Sequence, residues 1–109
     1  MIHLSIANDF SKTPGVRFPQ EGEFSGEEFR DKFLIPKVEE AIKRKENLEV
    51  DLDGTSGLGP SFLEEAFGGL IRKGYDYGVL KATLTFKSLE VPYYEDDIKK
   101  YMKEANENN

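Results

Sequence analysis

Residues 48–72, LEVDLDGTSGLGPSFLEEAFGGLIR, change period partway along, from two to about three and a half, with glycines at the changeover. Leu48, Val50 and Leu52 alternate with Glu49, Asp51 and Asp53, which predicts a strand with one apolar and one acidic face. Gly54, Gly57 and Gly59 mark the turn. Phe62, Leu63, Ala66, Phe67, Leu70 and Ile71 then follow helical spacing over residues 61–73, which turns Glu64, Glu65, Gly68, Gly69, Arg72 and Lys73 outward. Gly74 is placed to end that helix in the left-handed conformation. A strand entering a helix through a tight turn is the unit from which α/β layers are built.

The rest of the chain extends this pattern. Ile2, Leu4 and Ile6 alternate with His3 and Ser5, a short first strand. Residues 8–24 contain Pro14, Gly15, Pro19 and Gly22 and read as a long irregular loop, with Phe18 pinning it to the core and Arg17 either solvated or facing a ligand. Ser25-Gly26-Glu27-Glu28 is a capping-box pattern opening a helix with Phe29, Phe33, Leu34, Val38, Ala41 and Ile42 inside. Pro36 falls within that run and predicts a kink or a split. Val79, Leu80, Ala82, Leu84 and Phe86 suggest a third strand, residues 88–92 a loop, and residues 94–105 a last helix with Ile98, Tyr101 and Met102 inward. Tyr93 and Tyr94 are expected to cover the core edge, and residues 106–109 to fray. The expectation is one α/β domain over residues 1–109, with a small mixed or parallel sheet and helices packed mainly on one face. Right-handed crossovers would bring the Gly54–Ser61 turn to the carboxyl end of its strand, where open α/β sheets place their sites.

Composition narrows the chemistry. With 21 acidic against 15 basic residues the net charge is −6, and the cations are dispersed, which argues against nucleic acid. The chain has no cysteine and one histidine, His3, so disulfides are excluded, and zinc and a nucleophilic triad find no second partner. No stretch approaches the roughly 18 apolar residues of a membrane helix. The opening MIHLSIANDF lacks the basic and apolar regions of a signal peptide, so a cytoplasmic protein is expected.

The turn supports more than one function. Asp51-Leu52-Asp53-Gly54-Thr55 resembles the first motif of haloacid dehalogenase-like phosphatases. That resemblance implies Asp51 as nucleophile, Asp53 as acid/base and a bound Mg²⁺, with Glu95, Asp96 and Asp97 imitating the acidic motif downstream. Ser61-Phe62-Leu63-Glu64 is a second capping-box string, so Ser61 serves either as a helix cap or as a cap that also accepts phosphate. A third reading is a small-ligand or nucleotide sensor around Arg17 and the turn.

A second resemblance covers more of the chain. From Val50 onward the order of strand, acidic residue, Gly-containing turn and helix resembles STAS domains of the anti-anti-sigma-factor type. DFSKTPGVRF, EGEFSGEEFRDKFLIP and VDLDGTSGLGPSFLEEAFGGLIR are similar to a small bacterial STAS-like family of unknown function. The resemblance implies a non-enzymatic regulatory domain without a cofactor, whose protein partner is a histidine-kinase-type ATPase. It puts Ser61 at the phosphorylated serine, with Ser56 as second candidate. Gly54, Thr55, Gly57, Gly59, Glu64, Glu65, Gly68, Gly69 and Arg72 would form the partner surface. Gly59 stands where STAS domains have an aspartate, and Phe62 where they have a small residue.

Overall fold

Alternation dictates the sheet. In the computed structural model, which describes residues 1–108, β1 (Ile2–Ser5), β2 (Leu48–Asp51) and β3 (Leu84–Lys87) form one parallel sheet in the order β1-β2-β3. Ile2, Leu48 and Leu84 stand in register, as do His3, Glu49 and Thr85. Ile2, Leu4, Leu48, Val50 and Leu84 are buried on one face. The other face carries His3, Glu49, Asp51 and Lys87 and stays open, with a cross-strand hydrogen bond His3–Glu49 at 3.1 Å and an ion pair Lys87–Asp51 at 3.9 Å. A parallel sheet covered on both sides would need apolar residues at those positions.

Four helices complete the domain: α1 over residues 26–44, α2 over residues 60–72, α3 (Tyr77–Thr83) and α4 (Tyr93–Glu107). α4 lies along α2, and α1 crosses the start of α2. Phe29, Phe62, Phe67, Leu70, Leu80 and Ile98 are fully buried between the helices and the apolar face of the sheet.

Several local expectations change. Pro36 does not end the helix, which runs on through residue 44. The turn before it, Arg30–Leu34, is wound as a π turn in which the Ile35 amide bonds to the Arg30 carbonyl, and this wider turn accommodates a residue with no N–H to give. The long loop of residues 8–24 is partly ordered into helical turns at Ile6–Phe10 and Pro19–Glu21. Ser5 accepts from the Asn8 amide at 3.0 Å to start the first of these. Phe18 is 39% exposed and pins nothing. Phe10 has that role, its ring 5.2–5.7 Å from those of Phe24, Phe29 and Phe33.

The third strand begins only at Leu84, because residues 77–83 are helical. Asp76 caps that helix by accepting from the Val79 amide at 2.9 Å, and the Thr83 hydroxyl donates back to the Val79 carbonyl at 2.7 Å. α4 continues through Glu107, past the expected fraying point; Asn109 lies outside the described residues. Of the two tyrosines expected at the core edge, Tyr94 is buried and Tyr93 is 62% exposed.

Candidate functional site

The carboxyl ends of three parallel strands bring three loops together. After β2 the chain turns at Gly54, whose φ of +90° is strained for any residue with a side chain. Asp53 reaches across to the loop after β3, accepting from the Leu89 amide at 3.2 Å and the Glu90 amide at 3.0 Å. Glu90 returns the contact by accepting from the Gly54 amide at 2.6 Å. Further on, the Ser56 amide donates to the Lys12 carbonyl of the loop after β1 at 2.8 Å. The buried Leu58 amide donates to the Tyr94 hydroxyl at 3.0 Å. The turn is therefore tied at both ends.

Asp51 and Asp53 both have structural partners. Asp51 accepts from the Asp53 amide at 2.9 Å, and Asp53 holds the Leu89–Glu90 backbone. Glu95 pairs with Lys99 at 2.8 Å on α4. Among the described residues no three Asp, Glu or His side chains gather as a cation site.

Ser61 does not cap α2. The cap is Gly59, Pro60 occupies the first turn, and Ser61 lies inside the helix with its side chain exposed. Its hydroxyl has no hydrogen-bond partner among the described residues. Proline explains the shift: its fixed φ suits the first helical position and it has no N–H to satisfy there. Ser56, Gly57 and Gly59 are also exposed, and Thr55 is half-buried.

Glu65, Gly68 and Gly69, which helical spacing turns outward, are buried instead. The apolar stripe on both sides of the π turn Glu64–Gly68 stays buried, and α1 covers the neighbouring face as well, with Gly26 against Glu65 and Arg30 over Gly69. A side chain at Gly69 would collide with the Arg30 guanidinium, and a Cβ at Gly68 would come within 2.5 Å of the Glu64 carboxylate. Arg30 lies against Glu65, with Nη1 2.5 Å from Oε2 and 3.1 Å from the backbone carbonyl. Arg17, from the ordered loop, reaches Glu64 at 2.5 Å and Glu65 at 3.2 Å. Arg72 donates to both oxygens of Glu64, at 2.7 and 3.0 Å. Arg17 is thus not freely solvated; it clamps the loop to α2.

Burial alone would raise the Glu64 pKa, but hydrogen bonds from Arg72 and Arg17 outweigh it and hold the carboxyl below its ordinary range. A carboxylate lowered in the folded state stabilises fully above its unfolded pKa of about 4.3. That stabilisation is lost as pH falls through the lowered folded value. Urea midpoints taken from about pH 6 down to about pH 3 should therefore fall more steeply for wild type than for Glu64→Gln. Parallel curves would mean that the Arg17 and Arg72 contacts leave folding unaffected.

Leu89 was not singled out in the sequence, and Tyr93 was expected against the core edge. They are 78% and 62% exposed, on the loop and helix start that Asp53 and Tyr94 tie to the turn. Single apolar residues in a loop follow no period, so the Leu-Glu-Val-Pro string gave no signal.

No helix among the described residues is long and apolar enough to cross a membrane. A family model described as the STAS-like domain of unknown function (DUF4325) matches residues 25–94, from the cap of α1 through β2, the turn, α2 and β3 to the start of α4. No curated protein and no solved structure matches the chain. The match takes in well over half of the chain, including β2, the turn and α2, and the chain belongs to this family of STAS-like domains of unknown function.

Proposed function

We propose that the domain is a non-catalytic regulatory module that binds a protein partner through the turn at the carboxyl ends of its strands, and that phosphorylation of Ser61 controls the binding. The observation behind this reading is the Ser61 hydroxyl, exposed at the start of α2 and without a hydrogen-bonding task, because Gly59 holds the cap position. The Ser61 and Phe62 amides lie in the first turn, where backbone donors lack intrahelical partners and favour an anion. Glu64, one turn on, is neutralised by Arg17 and Arg72 and so repels a phosphate less than its formal charge suggests. Leu89 and Tyr93 supply apolar contact beside the turn.

By resemblance to STAS domains, the partner is a histidine-kinase-type ATPase that phosphorylates the serine it reads. Added charge at Ser61 would then break docking through repulsion and desolvation. Ser56, exposed but with its amide tied to Lys12, is the second candidate.

The test is incubation with ATP and an extract of the host, followed by mass-spectrometric mapping of phosphate and affinity measurement with the ATPase recovered. Phosphate is expected on Ser61. Ser61→Asp should weaken binding at least about tenfold, the effect of roughly 1.4 kcal/mol, while Ser61→Ala binds normally and accepts no phosphate. A Ser61→Asp variant that binds as tightly as wild type would sink the switch.

A further inference from the structure

We propose that the free edge of β3 takes an extended acidic peptide segment as a fourth strand. The sheet ends at β3, whose one partner is β2. The Lys87 carbonyl accepts from the Leu52 amide at 2.8 Å, so the backbone groups of Lys87 and Thr85 face β2. Those of Leu84 and Phe86 therefore point away from the sheet. The Leu84 amide is used by the Leu80 carbonyl, which leaves the Leu84 carbonyl and both Phe86 backbone groups without a strand partner among the described residues. This is the set of donors and acceptors that an added strand requires.

The edge opens onto a groove of about 560 Å³ between α3 and α4. Its apolar lining includes Leu80, Leu84 and Met102, and the strand itself forms part of the wall. Lys81 from α3 and Lys99, Lys100 and Lys103 from α4 also line it, with Glu95 the one acid and already paired to Lys99. On a chain of net charge −6, this is a local concentration of positive charge. An apolar side chain of the added strand would fill the groove, and flanking carboxylates would meet the lysines.

Charge also decides against the obvious rival occupant. A second copy paired edge to edge would bring two sets of lysines together. Lysines on an edge strand can serve simply to prevent aggregation, but that task needs no apolar cavity beside the strand. The proposal does not depend on Ser61, which belongs to a different surface.

The probe is the acetylated, amidated peptide EEVFVEE with a fluorescent label, titrated with the whole chain and read by anisotropy. Saturable binding is expected, weakening as salt rises from about 50 to about 500 mM. Lys99→Glu, Lys100→Glu and Lys103→Glu together should weaken it at least about tenfold. In nuclear magnetic resonance spectra the Phe86 amide should shift and gain protection from exchange. The same peptide with alternate backbone nitrogens methylated should fail to bind, and KKVFVKK should fail too. Three results would overturn the proposal: no saturable binding of EEVFVEE, equal binding of the methylated peptide, or displacement of EEVFVEE by decanoate with no change at the Phe86 amide. The last would identify a site for small anionic amphiphiles.

Discussion

Arg30→Ala is expected to lower the free energy of unfolding by about 3 kcal/mol, the cost of breaking a buried ion pair by removing one partner. Arg30 is 3% exposed and Glu65 7%. Burial pulls the Arg30 pKa down, and the hydrogen bonds it donates to Asp31 and Glu65 more than restore it, so the side chain is charged inside the protein. Its removal leaves the Glu65 carboxylate with Arg17 at 3.2 Å and Arg72 at 3.4 Å, both longer than the 2.5 Å contact that is lost. Those two residual partners place the effect at the lower end for a buried pair.

Arg30→Lys should recover little, because a single ammonium cannot reach Asp31, the Glu65 carboxylate and the Glu65 carbonyl together. Replacing both members, Arg30→Met with Glu65→Leu, should cost far less than Arg30→Ala alone, since no charge is then stranded. Urea denaturation of wild type and the three variants measures this directly. A loss below about 1 kcal/mol for Arg30→Ala would mean that the pair is solvated like a surface bridge, and that α2 is held to α1 by apolar contact alone.

The same cluster explains where the sequence could and could not be read. Strong period-two alternation at residues 48–52 marked β2 because each inward residue is apolar and each outward one charged, and packing agrees with local preference there. The glycines and DLDGT located the turn for a similar reason, since Gly54 adopts a backbone angle that few other residues tolerate. Glu65 was misplaced because a helical wheel turns a charged residue outward, whereas α1 covers that face and supplies Arg30 as its partner.

Ser61 was misplaced because S-x-x-E reads as a cap unless the preceding proline is given the first helical position. The stretch Val79–Phe86 alternates well enough to pass as a strand. Its first half is helical, opened by Asp76 capping the Val79 amide and closed by the Thr83 hydroxyl on the Val79 carbonyl. Leu89, Tyr93 and the lysine-lined groove depend on which loops and helices meet in space, and no local pattern encodes that.

Phe29→Ala should destabilise the domain by about 3–5 kcal/mol, the range for emptying a buried aromatic site. Phe29 is fully buried, and its ring centre lies 5.4 Å from that of Phe10, 5.8 Å from Phe62 and 6.4 Å from Phe67. Those neighbours come from the turn after β1 and from α2, so this one side chain links α1 to both. The cavity would therefore loosen more than α1. The turn after β1 leads to Lys12, whose carbonyl holds the Ser56 amide, and α2 begins beside Ser61. Phe29→Leu, which keeps most of the volume, should cost about 1–2 kcal/mol. Urea midpoints should fall in that order with the slope unchanged, and amide exchange at Ser56 should accelerate in Phe29→Ala more than at Val50 in β2. Equal acceleration at the two amides would mean that the aromatic cluster stabilises the fold as a whole without holding the turn, and the rigidity of the turn would then rest on Asp53, Glu90 and Tyr94.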